Sequence, residues 1–314
     1  MSLRHNRRYV ALLSATTISK LGDGASSVAY PWLASAVTRN PLLVAMVAVA
    51  QRLPWLVFSL PAGVITDRVD RRRAIVLMDS LQFMFTTVVA VAVLAQQHLL
   101  PGPGHTKSVV GTRALLYCIV LLATLAMGMA SVLRDNCGQT LTPSIVDADD
   151  LEKANGRMWG VEGVMETFVG PPLGALMLGV AFCLPFFIDA ASFFAAAALI
   201  YSIPGVFRAT PAPGIDSAEP RSTSWRAELR EGVTWLWNHE LLRPMAIILG
   251  LMNLAANVSG ATMVLFAQEV MHTSPIVFAV LGFGGAIGGL VGGQVASTAS
   301  RRLGAGTCLA LALL

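Results

Sequence analysis

The chain has 314 residues, 55% of them hydrophobic and 13% charged, with a net charge of +4. Its mean hydropathy is +0.65. Soluble domains carry roughly 25% charged residues, so this composition excludes one and indicates an all-α integral membrane protein. The excess positive charge lies in short segments between apolar runs, where it sets orientation, so neither nucleic acid nor a nucleotide is an expected partner.

Arg4, Arg7 and Arg8 precede an apolar run that continues to about residue 37 without a small-x-small cleavage site. That run is too long for the core of a cleavable signal and reads as a first span. Some ~20 apolar residues at ~1.5 Å rise cross a bilayer core. By this measure the spans fall at about 9–37, 42–65, 74–98, 113–141, 155–179, 182–204, 242–270 and 275–299, with a ninth beginning near 304. The second opens at Asn40-Pro41, a turn followed by a proline where a helix start tolerates one. Pro101-Gly-Pro-Gly-His105 breaks the chain before the fourth.

Between the second and third spans lies a basic hairpin, Gly63-Val-Ile-Thr-Asp67-Arg68-Val-Asp-Arg71-Arg72-Arg73. Sixteen of the 22 Lys and Arg residues fall on the hairpin's side of the bilayer and three on the other, the rest lying within spans. That bias predicts a cytoplasmic N-terminus in a plasma (inner) membrane, with the lipid bilayer as a partner.

Residues 205–224 form a polar Pro/Ala/Ser linker. Trp225, Leu229, Val233 and Leu236 then recur at helical spacing, followed by Trp235 and Trp237. They predict an amphipathic helix at the inner membrane surface or a packing helix between bundles. The expected domains are a six-helix bundle over 1–204, a cytoplasmic linker over 205–240 and the first part of a second bundle over 241–314. Gly293 to Arg301-Arg302 repeats the spacing of Gly63 to Arg71-Arg72. Duplicated halves predict twelve helices, so a sequence holding eight and part of a ninth is expected to be truncated.

Charges in spans are costly unless they face an interior or a wet cavity. On the first span Thr16, Lys20, Asp23, Ser27 and Tyr30 form one stripe. Arg52 lies in the second. Thr124, Ser131, Arg134 and Gly138 share a face of the fourth, with Asp135 beside it. The fifth carries Asn155, Trp159, Glu162 and Glu166, and the seventh Asn253, Asn257, Gly260 and Gln268. Turned inward, these stripes would line a shared cavity. Local pairing is the alternative: Lys20 with Asp23, Arg52 with Asp23 or another acid, Arg134 with Asp135, and Asp79 and Asp189 holding helix ends or loops. Glu162 and Glu166, one turn apart, disfavour each other's ionisation in a low dielectric and are the candidate proton carriers, Glu166 foremost.

Val169-Gly170-Pro171-Pro172-Leu-Gly174 bends the fifth span and allows close packing. Gly282, Gly285, Gly289 and Gly292 share a face of the eighth; no strand precedes them and no lysine follows, so they are packing residues. Cys118, Cys137, Cys183 and Cys308 read as small packing residues, and the five histidines are scattered. No disulfide, metal site or cofactor is expected. No nucleophile–base set stands out, so the chain does not read as an enzyme.

The basic hairpin resembles the loop 2–3 signature of the major facilitator superfamily. It departs from that signature at Asp70, where the superfamily has glycine. The Gly-Pro run resembles the superfamily's antiporter motif, which implies export. Leu21-Gly-Asp-Gly24, Gln51-Arg-Leu-Pro54, Phe187-Ile-Asp-Ala-Ala-Ser-Phe193 and Leu229-Arg-Glu-Gly-Val-Thr-Trp-Leu-Trp-Asn-His-Glu-Leu-Leu-Arg243 resemble its macrolide-efflux and enterobactin-exporter branch. The resemblance implies a proton-coupled exporter of small lipophilic or amphiphilic compounds working by alternating access. Asp23, Glu162 and Glu166 would bind protons or cationic substrate, with Arg52 and Arg134 as their partners. Gly63, Asp67, Arg68, Arg71 and Arg72 would form a conformational latch, which in the family closes through an eleventh helix. Lys20, Ser27, Tyr30, Asn253 and Asn257 would line the cavity. An importer of the same fold and a truncated, transport-inactive membrane protein are the other readings.

Overall fold

In lipid a backbone amide finds no partner but another amide, so a spanning segment closes its hydrogen bonds within itself. The computed structural model describes residues 3, 5–100, 111–208, 225–240, 242–282 and 284, and these residues contain helices and no strand. In chain order the helices are α1 (Arg7–Val37), α2 (Pro41–Arg68), α3 (Arg71–Ala95), α4 (Ala114–Ile145), α5 (Leu151–Gly163), a π-helical stretch (Val164–Val169), α6 (Gly170–Val180), α7 (Leu184–Tyr201), α8 (Trp225–Asn238) and α9 (Leu242–Glu269). Residues 275–282 are helical again. Side chains cap the starts of the first three. Asn6 accepts from the amides of Arg8 and Tyr9, Asn40 from Leu42, and Asp70 from Arg73.

Among the described residues five helical segments are long and apolar enough to span: Pro41–Ser59, Arg71–Ala95, Ala114–Ile145, Ala148–Val180 and Leu184–Tyr201. The predicted first span is not among them, because its polar stripe lowers the hydropathy of a helix that is 31 residues long. The predicted seventh is apolar over Leu242–Asn253. Most of the Pro-Gly loop, most of the linker, Cys308, Gly285, Gly289, Gly292, the Gly293 repeat and the ninth helix lie outside the described residues.

The basic hairpin is tighter than its sequence predicts. α2 runs through Asp67 to Arg68, and only Val69 and Asp70 separate it from α3. Asp70, the departure from the superfamily pattern, is the residue that caps α3. Arg71, Arg72 and Arg73 therefore stand in the first turn of a helix rather than in a loop.

α7 packs against α1 and α3, α4 against α2 and α3, and α6 against α1. Two apolar cores result. One gathers Tyr9, Leu12, Ile75, Leu133, Leu141 and Ile200 at the end where α1 begins, called here the basic end. The other gathers Trp32, Leu33, Val93, Leu116, Leu178 and Phe186 at the far end. Between them lies a polar layer containing Thr16, Ser19, Ser26, Asp79, Gln82, Thr124, Arg134, Asp189 and Ser192, all buried.

The Gly-Pro run fixes how closely α6 meets α1. Pro171 and Pro172 lack amide donors, so the preceding carbonyls lose their α-helical partners. The chain answers with a π turn, in which the Gly170 amide donates to the Met165 carbonyl five residues back. A Cβ on Gly170 would lie 2.5 Å from Gly24 Cα, and one on Gly174 would run into the Ala25 carbonyl. Among the described residues nothing beyond its own helix backbone and chain neighbours lies within 4 Å of where a Gly63 Cβ would stand. Gly174→Ala is therefore expected to cost about 1–3 kcal/mol by overpacking. Thermal unfolding in detergent should show a lower midpoint for it and none for Gly63→Ala.

Candidate functional site

The polar layer is organised around an ion-pair chain that crosses four elements. In α3, Asp79 has no exposed side-chain surface and lies 3.0 Å from Nε of Arg134 in α4. Arg134 reaches its neighbour Asp135 at 3.3 Å. Asp135 lies 3.7 Å from Lys20 Nζ in α1. Lys20 also contacts Asp23 at 3.5 Å and Glu166, in the π stretch, at 3.6 Å. Ser131 extends the layer by donating to Gln82 of α3 at 2.8 Å.

Exposure is lowest at the Asp79 end of this chain and highest at Glu166. Side-chain exposure is 8% for Arg134, 14% for Lys20, 18% for Asp135, 29% for Asp23 and 51% for Glu166. The buried end is a fixed pair; at the other end the Glu166 side chain is half exposed. One lysine there faces three carboxylates, so the open end carries surplus negative charge. A proton or a cationic group can compete with Lys20 for those carboxylates.

The two local pairs expected from sequence, Lys20 with Asp23 and Arg134 with Asp135, are thus parts of one network. Asp79 and Asp189 do not hold helix ends. Both are wholly buried in mid-helix, where Asp79 neutralises Arg134 and Asp189 accepts from Ser26. An acidic residue in the middle of an apolar run was the signal that marks them. Arg52 is not a partner of these acids: it is exposed on α2 and makes no ion pair among the described residues. Glu162 is half-buried and likewise makes none. Glu162 stands at the end of α5 and Glu166 within the π turn that follows it.

Of the expected lining residues, Ser27 is exposed and donates to the Gly24 carbonyl. Tyr30 does not line a cavity. It is buried in the far core, donating to Met127 Sδ at 3.2 Å with its ring edge on Phe186. Asn253 is exposed on α9 and donates to the Leu249 carbonyl. The side chain of Asn257 lies outside the described residues.

The arginines of the hairpin act within their own bundle. Arg72 donates to the carbonyls of Ile200, Tyr201 and Gly205 at the end of α7, and its guanidinium lies 5.2 Å over the Tyr201 ring. Arg71 donates to Thr140 and Ser144 near the end of α4. Positive charge at the start of α3 so meets the negative ends of two antiparallel neighbours. Asp67 and Arg68 are exposed, and among the described residues the open side of Gly63 faces nothing.

At the far end α9 is tied to α1. Arg39 donates to Gln268 and Glu269 at 2.6 Å each, and Gln268 donates to Ser35 at 2.8 Å. Trp32 meets Phe278 edge-on at 5.6 Å. At its other end α9 is exposed from Arg243 to Asn253. Among the described residues, these contacts join the two helices at the far end.

Several helices long and apolar enough to span a bilayer, with a charged layer buried between them, define a multi-pass helical membrane protein. Residues 3–314 match the model of the Transmembrane secretion effector family. The chain belongs to that family, a branch of the major facilitator superfamily. It is 28% identical over 247 residues to the multidrug efflux pump Tap of Mycolicibacterium fortuitum, a match covering 76% of this chain and 54% of that protein. The same identity over 244 residues holds for Tap of Mycobacterium tuberculosis and of Mycobacterium bovis, covering 76% of this chain and 52% of each. The chain spans about half the length of these curated relatives.

Removing one partner of a buried pair leaves a bare charge, at a cost of about 3–5 kcal/mol. Arg134→Leu should therefore destabilise strongly, and Asp79→Asn with Arg134→Leu should recover part of the loss. Arg52→Ala, at an exposed site, should stay within about 0.5 kcal/mol of the parent. Size-exclusion profiles of heated detergent extracts check all three.

Proposed function

We propose that this chain works in a secondary active transporter of the plasma (inner) membrane, N-terminus cytoplasmic. It exports small lipophilic or amphiphilic compounds in exchange for protons, by alternating access. Residues 1–204 are the first bundle, 205–240 the connection and 241–314 part of the second. The observation that carries this reading is Lys20, shared by Asp23, Asp135 and Glu166 from three elements at an open edge of the polar layer. Its relatives are named multidrug efflux pumps, which favours export over import.

In this mechanism the basic end faces the cytoplasm. A lipophilic cation entering from that side displaces a proton from Glu166 or Asp23 and takes the place of Lys20 as counter-ion. Closure of the basic end and parting of the Arg39–Glu269 tie would expose the site outward. There, protons reload the carboxylates and release the cargo. The tie is suited to parting: Glu269 is more than half exposed, and such pairs contribute only ~0–1 kcal/mol.

Two experiments test this. In inverted membrane vesicles, Glu166→Gln is expected to abolish accumulation of a lipophilic cationic dye driven by a pH gradient, at unchanged membrane levels; undiminished accumulation would remove Glu166 from the mechanism. A Ser35→Cys, Gln268→Cys pair should cross-link on oxidation and stop transport, and reduction should restore it.

A further inference from the structure

Two sequence motifs left over from the ion-pair chain meet face to face: Leu21-Gly-Asp-Gly24 of α1 and Phe187-Ile-Asp-Ala-Ala-Ser-Phe193 of α7. Asp189 is 0% exposed. The Ser26 hydroxyl donates to its Oδ2 at 2.6 Å, while its Oδ1 has no hydrogen-bond partner. Oδ1 and Ser192 Oγ converge on the space that a Cβ of Gly22 would fill, with Oδ1 at 2.5 Å. Glycine at 22 is what admits the carboxyl between the two helices.

Among the described residues no cation makes an ion pair with Asp189, and Lys20 of α1 is engaged with Asp23, Asp135 and Glu166. On α1 the titratable neighbours are Asp23 and Tyr30. On α3, Asp79 is engaged with Arg134, and Arg72 lies at the Tyr201 end of α7. α6 carries no titratable residue. A carboxylate buried without a counter-charge costs several kcal/mol or more, and such a group neutralises itself by holding a proton. The free Oδ1 is the oxygen for it, because Oδ2 already accepts from Ser26. The next residue after Gly22 is Asp23, whose carboxyl belongs to the Lys20 cluster at the open edge.

We propose that Asp189 is a second proton-binding site, with the proton on Oδ1, and that it exchanges this proton with Asp23 around Gly22. The O–H bond of Asp189 breaks as one forms on Asp23, which passes the proton to water at the open edge; no other reactant is needed. Negative charge on one of two carboxyls borne by adjacent positions of this helix contact disfavours it on the other, so loading one favours unloading the other. This extends the proton-exchange reading above, yet it is tested without transport.

The test is infrared difference spectroscopy of the purified full chain in lipid nanodiscs, titrated from neutral to alkaline pH. At neutral pH the parent is expected to show a protonated-carboxyl stretching band that Asp189→Asn lacks. That band should fade on titration, with a midpoint that moves in Asp23→Asn. Should Asp189→Asn fail to fold, Ser26→Ala serves in its place: it leaves the carboxyl but removes its hydrogen bond, and should shift the same band. Absence of the band at neutral pH overturns the proposal. So does a band that no pH and no Asp23 substitution alters, which would make Asp189 a permanently neutral packing group. Loss of transport with an intact, titrating band would count against the transport reading alone.

Discussion

The contact between Arg134 and Asp79 is the constraint on which the polar layer rests. A guanidinium at the centre of an apolar bundle is tolerable only because a carboxylate with no exposed surface meets it at 3.0 Å. That pair fastens α4 to α3 and leaves Asp135, on the next residue, as the acceptor through which α1 joins. Lys20 depends on Asp135, and Asp23 and Glu166 depend on Lys20. Charge balance thus runs from the buried Asp79–Arg134 pair to the half-exposed Glu166.

Apolar cores above and below this layer divide the labour. They hold the helices together without directional demands, so the layer between them need not supply stability to the whole. Its ion pairs are free to be marginal at the open edge. The same division explains the glycines. Gly22 and Gly24 on α1, with Gly170 and Gly174 on the facing chain, let backbones approach where the layer needs a carboxyl or a carbonyl close by.

The helical class and most span positions were legible in the sequence, because continuous apolar runs punctuated by arginine and proline admit few other readings. The stripe on α1 was legible as well, and the structure brings Lys20 and Asp23 of that stripe to the open edge. What local spacing could not reveal was partnership. Arg52 and Arg134 look alike in sequence, yet one is exposed and the other buried against Asp79, a difference set by which face of each helix the neighbours cover. Asp79 and Asp189 looked peripheral because helix phase is unreadable in uniformly apolar runs. Tyr30 shares its stripe with Asp23 but climbs into the far core, since a stripe extending over four turns passes from one environment into another. The π turn was hidden because two prolines predict a kink without saying how the displaced carbonyls are satisfied.

That π turn sets a rule about length rather than identity. It stores one more residue than an α-helix would need between Glu166 and Gly170. Deleting one residue of Val164–Val169 would remove that surplus and let ordinary winding resume with Gly170 and Gly174 still facing Gly24 and Ala25, whereas a deletion in the regular helix of α5 would turn them away by ~100°. Related chains should therefore tolerate a one-residue gap inside this stretch more readily than in the helices on either side.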